Sequence, residues 1–397
     1  MNAQFSQLAP ASVRIVSVQV LHLRLEPRQD YRWASLRVGL GDFVVVRTVS
    51  DAGLVGYGET VPLIDWGGDY GRYAGESPQT VRHVIDTYLG PSVIGHDAAE
   101  VAALSHEWER HVRGHNYAKV ALEMALYDLL GKARGVPVYE LLGGCFRRRV
   151  PVAHMVGLMP VAAAVDEAQG AVADGVRALQ LKGGPDPERD VQVACEVRRA
   201  IGDAIVLRLD ANQAYGLAKP AMRILRRLQD VGVQIVEQPV EGLAEMAEVT
   251  RQADGLTILA DESAWTPRDA LDLTQARAAD GISIYLAKAG GLTRARTVAA
   301  IAEAASLPCD VNGSLELGIA NAANLHLAAA APAVTLASVI PITAPAGSGT
   351  TSVAGRYYAD DIVQEPFAYD RGDLIVSPRP GLGVEVDETK LRRYAVG

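Results

Sequence analysis

At 397 residues the chain is too long for one ordinary compact unit, which leaves two or three domains, or one large barrel with a smaller companion. Hydrophobic residues make up 49% and charged residues 21%, a globular balance that excludes a disordered chain. A net charge of −9 argues against a nucleic-acid or anionic-membrane surface.

The N-terminal stretch MNAQFSQLAPASVR has neither a basic region nor a continuous apolar one, so no secretory signal is expected there. Cys145, Cys195 and Cys309 lie far apart, without metal-knuckle or disulfide spacing. A cytoplasmic protein with reduced thiols is the resulting expectation. The runs VRIVSVQVLHLRL, LRVGLGDFVVVRTVS and LVGYGET, between residues 13 and 60, are β-branched or alternating and read as an antiparallel sheet. Residues 67–77 (GGDYGRYAGES) suit a mobile loop able to close over a site. From about residue 78 to 133 the apolar period becomes helical, and AKVALEMALYDLLGKARG stops at Gly135 with Pro137 just beyond. Residues 1–133 are therefore expected to form an α+β domain.

Beyond residue 150, short apolar runs alternate with amphipathic stretches. The runs are VPVAHMVGLM, VRALQLKGG, IVLRLDAN, QIVEQPV, LTILADES, ISIYLAKAGG, PCDVNGS and TLASVIPI. The polar residues near the ends of six of them, Lys182, Asp210, Glu237, Asp261, Tyr285 and Asn312, are spaced by 24 to 28 residues, the length of one βα unit. Eight such units close a parallel (β/α)8 TIM barrel, expected over residues 134–354. An open doubly wound sheet would want a glycine-rich fingerprint after its first strand, and none is present. The C-terminal segment 355–397 leaves the pattern and is expected to return to the N-terminal domain.

In such a barrel the C-terminal strand ends surround one cavity. Asp210, Glu237 and Asp261 end three successive strands after apolar runs, where a lone carboxylate is costly to desolvate. Brought together they repel one another unless a cation neutralises them, and an all-oxygen set selects Mg2+, with Mn2+ as substitute. Three independent salt bridges are the plain alternative. Lys182 ends the preceding strand; beside a cation its pKa is expected to fall, fitting it as a general base. The chain holds only six lysines against 32 arginines, and only lysine can give up its proton. Asn212 shares a face with Asp210 and is a candidate substrate contact.

In their order and spacing, LKGG, LDANQAY, VEQPV, LADES and AKAGGL resemble the enolase superfamily, specifically the muconate lactonizing enzyme subgroup. The resemblance covers essentially the whole chain, including RGHNYAKVALEMALYDLLGKARGVPVYELLGG. It implies an α+β capping domain on a modified (β/α)8 barrel, with Asp210, Glu237 and Asp261 as Mg2+ ligands and Lys182 as base. It further implies removal of a proton α to a carboxylate, giving a metal-stabilised enediolate. Three departures bear on the substrate. Tyr285 stands where members usually carry a second lysine, Gln180 replaces the first lysine of the usual Lys-x-Lys pair, and the histidine marking the mandelate racemase branch is not evident in PCDVNGSLELG. Lys288, where many members have an additional lysine, reaches the cavity only if the strand ends before it.

Tyr31, Trp33 and Trp66 fall in N-terminal loops, where the family places substrate-closing segments, so Tyr31 and Trp66 are candidate substrate contacts. His154 and His326 read as structural. The overall reading is a Mg2+-dependent lyase or isomerase acting on a small carboxylate. Tyr285, a poor base but a usable acid, ranks dehydration slightly above epimerisation, with cycloisomerisation third and Lys288 as the other catalytic candidate. A metal-binding homologue without turnover is the different-class alternative. No nucleic-acid or membrane partner is expected, and a homo-oligomer, dimer to octamer, is.

Overall fold

The computed structural model describes residues 13–34, 36–37, 39–348 and 357–396. The secretory-signal expectation at residues 1–12, and the boundary expected at residue 354 between the barrel and the C-terminal segment, lie outside these spans.

The first three apolar runs form β1 (Ile15–Arg24), β2 (Asp42–Ser50) and β3 (Val55–Thr60), an antiparallel sheet in that order. The helix Asn116–Arg134 packs on this sheet, and two glycines of β3 set how closely. A Cβ at Gly56 or Gly58 would run into the carbonyls of Ala125 and Ala121, so the helix backbone lies directly on the strand. That helix ends as expected at Gly135, whose φ of 67° is cheap only for glycine.

The run after residue 149 divides into β4 (Arg149–Pro151) and β5 (Ala153–Val156). β5 begins a parallel sheet continued by β6 (Ala178–Lys182), β7 (Val206–Asp210), β8 (Ile235–Glu237), β9 (Thr257–Ala260), β10 (Gly281–Ile284) and β11 (Cys309–Val311), each strand bonded to the next. Helices fill the intervals, and the strands are buried on both faces, as parallel strands require. The expected eighth strand at 335–342 is not regular. Residues 334–338 instead bridge β11 through Cys309↔Val334 and the entry to β5 through Val152↔Ser338, closing the barrel with single parallel bridges. Pro332 and Pro341 bracket this stretch and offer no N–H to a ladder, so it cannot extend.

β4 leaves the barrel and pairs antiparallel with the C-terminal strands β12 (Tyr369–Asp370) and β13 (Asp373–Ile375), in the order β12–β13–β4. The chain then continues to the N-terminal sheet. The helix Glu388–Tyr394 lies on β1, where the Val396 N–H donates to the His22 carbonyl at 2.8 Å and Arg47 pairs with Glu388 at 3.1 Å.

The helix Gly318–Ala330, after β11, has no cap from its own first residue. Its free N–H groups are met by distant carboxylates. Glu59 of β3 accepts from Leu317 (2.7 Å) and Ala320 (3.0 Å), and Asp361 accepts from Gly318 (3.0 Å). Burial pushes the carboxyls up, to about 8 for Glu59 and about 7 for Asp361, against the lowering effect of these bonds. Among the described residues no helix is long and apolar enough to cross a membrane.

Candidate active site

Strand alternation aims every second side chain into the barrel, and the register sets their heights. Lys182 pairs with Asp210 and Asp210 with Glu237 across β6, β7 and β8, so the three lie at one level; Asp261 follows the last residue of β9. Asp210, Glu237 and Asp261 each offer an oxygen within 4.8 Å of the others, and all three are buried. Glu237 Oε1 has no hydrogen-bond partner. Burial raises the Glu237 carboxyl well above its ordinary value, and Asp210 and Asp261 add to the rise. Asp261 is raised by burial too, although Lys288 opposes it. A buried, mutually repelling oxygen cluster with an unused ligand atom fits a hard divalent cation.

Lys182 Nζ donates to Asp210 Oδ2 at 2.5 Å. Burial works to lower this ammonium, but Asp210, Glu237 and Asp261 together outweigh it and hold the pKa above the ordinary lysine value. The expected depression is therefore absent while the carboxylate charge stands uncompensated; a cation drawing on that charge would leave burial dominant. Asn212, at φ 42°, donates from its backbone N–H to Asp210 Oδ1 and from its side chain to Glu262 Oε1 (3.1 Å).

β10 stops at Ile284, and Tyr285 caps the short turn Leu286–Ala289. β6 and β10 are four positions apart in a barrel of seven strands and one bridging segment, so Lys182 and Tyr285 face each other across it. Burial raises the Tyr285 phenol well above 10, and Asp261 and Glu237 add to this, so it stays protonated at neutral pH. The turn folds Lys288 back on Asp261. Its ammonium donates to Asp261 Oδ1 (2.5 Å), the Asp261 carbonyl (2.7 Å) and the Ser283 carbonyl (2.8 Å), which uses all three protons. Lys288 thus steadies Asp261 and does not line the cavity, unlike the catalytic placement expected for it.

The cavity above the acids is closed down to about 30 Å3. Lys182, Asn212, Asp261 and Tyr285 line its reactive end, and Trp33, Leu63, Trp66, Met155, Gly313, Ser314 and Leu315 wall the rest. Of the two loop candidates, Trp66 lines the cavity whereas Tyr31 packs on Tyr357 (ring centroids 5.2 Å) outside the lining. The loop expected to close over the site is bonded to the barrel. The Asp69 N–H donates to the Glu262 carbonyl at 3.2 Å, the Ser263 hydroxyl donates to Asp69 at 2.8 Å, and Arg72 pairs with Asp269 at 2.8 Å. Tyr73 also donates to Asp269 and stacks on Trp265 at 4.8 Å.

Beneath the acids lies a group the sequence reading passed over. Arg208, fully buried on β7, reaches Glu237 (3.0 Å), Asp310 of β11 (2.6 Å) and the Ala337 carbonyl (2.8 Å). Its signal was available: a charge inside IVLRLD two residues before Asp210 shares that residue's inward face. Arg208→Met is expected to cost about 3–5 kcal/mol in chemical denaturation, because it leaves two carboxylates buried and unpaired. A loss below about 1 kcal/mol would mean that the acids are neutral without it.

Comparison with known proteins covers nearly the whole chain. The family profile of the mandelate racemase/muconate lactonizing enzyme N-terminal domain matches residues 15–143, and the enolase C-terminal domain-like profile matches residues 163–390. Muconate cycloisomerase 1 of Rhodococcus opacus is 32% identical over 96% of this chain and 98% of its own. The L-Ala-D/L-Glu epimerase of Bacillus subtilis (strain 168) is 31% identical over 94% and 97%. The crystal structure of 2-chloromuconate cycloisomerase from Rhodococcus opacus 1CP superposes with a TM-score of 0.87 at 30% identity, covering 97% of this chain and all of that one.

Proposed function

The chain belongs to the mandelate racemase/muconate lactonizing enzyme family of the enolase superfamily, and from that premise we propose that it removes the α-proton of a small carboxylate with Lys182 as its single base and completes a β-elimination. The placement of a phenol rather than a second amine opposite Lys182 carries this reading.

Asp210, Glu237 and Asp261 would hold the divalent cation, Mg2+ by their donor set or Mn2+ in its place, and such an ion supplies positive charge that makes the C–H beside a bound carboxylate more acidic. Lys182, level with Asp210 across β6 and β7, accepts the α-proton on Nζ. Lys288 positions Asp261, and Asn212, linked to Glu262, holds the rim beside Asp210. Tyr285 delivers its phenolic proton to the departing β-substituent, a hydroxyl leaving as water. Epimerisation would need a base on the Tyr285 side, which a phenol raised above 10 does not provide near neutral pH. Cycloisomerisation is the second reading. It too needs only one acid–base group, which gives a proton to the α-carbon as the ring closes and takes it back in the reverse direction, and the likeness to muconate cycloisomerase 1 favours it.

The deciding experiment incubates a carboxylate library with enzyme and Mg2+ in D2O, scored for α-deuterium uptake and for dehydration. Exchange from one enantiomer only is expected. Tyr285→Phe should keep that exchange while net elimination falls by about 10²-fold. Equal deuterium uptake from both enantiomers, unaffected by Tyr285→Phe, would require a second base and overturn the proposal.

A further inference from the structure

A second cavity, of about 220 Å3 against about 30 Å3 above the acids, lies between the helix Gly318–Ala330 and the C-terminal segment. None of its lining residues borders the catalytic cavity. Leu325 of the helix and Phe367, Val376 and Leu382 of the segment give it an apolar wall. The polar side chains that reach its interior are already engaged. His326 Nδ1 accepts the Tyr139 N–H (3.2 Å) and Nε2 donates to the Leu382 carbonyl (3.0 Å), so both ring nitrogens are used. Burial pushes this imidazole down to about 4, and the ring stays uncharged. The Ser377 hydroxyl donates to the Gly383 carbonyl at 3.1 Å and accepts the Arg379 N–H at 3.3 Å. Water enclosed there finds few partners, and an apolar cavity of about 150 Å3 already admits a benzene ring.

Charge gathers at the rim. Arg379 and Glu365 have side chains 45% and 68% exposed and pair from Nη1 to Oε2 at 3.2 Å. Arg379 Nε is spent on the Gly383 carbonyl at 3.0 Å. Among the described residues, Arg379 Nη2 and Glu365 Oε1 have no hydrogen-bond partner, so one donor and one acceptor stand open beside an apolar hole. A carboxylate alone would meet the guanidinium but face Glu365, and an amine alone would do the reverse. A zwitterion satisfies both.

We propose that this cavity is a second ligand site, which takes a free α-amino acid with an apolar side chain: the side chain inside, the carboxylate on Arg379 and the ammonium on Glu365. The site is independent of the chemistry at Lys182. Titration calorimetry on the full chain with Mg2+ compares phenylalanine, 3-phenylpropionate and phenethylamine, which share a ring and differ in the charges left at the rim. Phenylalanine should bind about ten-fold tighter than either, because each of the others forfeits one charged hydrogen bond. Arg379→Gln and Glu365→Gln should each weaken phenylalanine by a similar factor. Ala322→Leu fills the cavity from the helix and should abolish binding, with Ala322→Val in its place should that variant fold poorly. Phenylalanine binding that persists through the rim and filling variants would belong to another site and overturn the proposal. Equal binding of the three probes, or no binding of phenylalanine, would overturn it as well.

Discussion

Lys182→Ala is expected to lose net turnover and α-deuterium exchange together, by about 10²–10⁴-fold or more. The joint loss follows from position. Lys182 lies at the level of Asp210 and Glu237, and of the described side chains lining the cavity it is the one whose nitrogen can take up a proton from carbon. Tyr285 is held protonated by burial, and Lys288 has its three protons committed to Asp261 and Ser283. The variant should fold, because Asp210 keeps its bond from the Asn212 N–H and removal of one methylene-rich side chain at a cavity wall leaves room for water. Deuterium exchange surviving in Lys182→Ala would place the base elsewhere and remove the foundation of the proposed chemistry.

The second large effect concerns the cation. Exhaustive chelation should abolish activity, and Mg2+ or Mn2+ should restore it, because three buried carboxylates whose oxygens lie within 4.8 Å have no other common counter-charge. Lys182 and Lys288 each neutralise one acid, and Arg208 meets Glu237 from beneath, yet Glu237 Oε1 faces the cluster without a partner. Glu237→Gln preserves the shape while removing one anionic ligand, so activity should drop by about 100-fold or more. Its unfolding free energy should change little, since relief of repulsion from Asp210 and Asp261 offsets the weakened contact with Arg208. Full activity after exhaustive chelation would refute the metal centre.

Much of this site could be read from strand parity. An acid or lysine closing an apolar run is forced to one end of a barrel strand and one face of it, so Lys182, Asp210, Glu237, Asp261 and Tyr285 converge once the repeat is counted. Parity says less where the backbone departs from a strand. Lys288 lies on a turn that no alternation predicts, and its side chain folds back on Asp261. The eighth run breaks because prolines bracket it, and the first run splits because β4 finds an antiparallel partner more than 200 residues later. Loop aromatics are harder still. Tyr31 and Trp66 look equivalent in sequence, but their segments are pinned to different parts of the barrel, that of Trp66 through Asp69, Arg72 and Tyr73 and that of Tyr31 through Gln29 on Glu167 and the Arg32 carbonyl on the Leu158 N–H. Arg208 was legible by the same parity rule and was overlooked beside the more conspicuous acids.

The capping of helix Gly318–Ala330 reaches beyond geometry. Its first turn is completed only when Glu59 has arrived from β3 and Asp361 from the C-terminal segment, the former 258 residues away from Leu317. Each such cap contributes about 1 kcal/mol, and none of it is available to a fragment lacking either end of the chain. Closing so long a loop before any return makes folding slow, and sharing one helix terminus among three regions makes unfolding cooperative. The N-terminal sheet, the seventh barrel strand with its following helix, and the C-terminal segment are therefore bound into a single thermodynamic unit, in which loosening either the sheet or the C-terminal segment uncaps the helix between them.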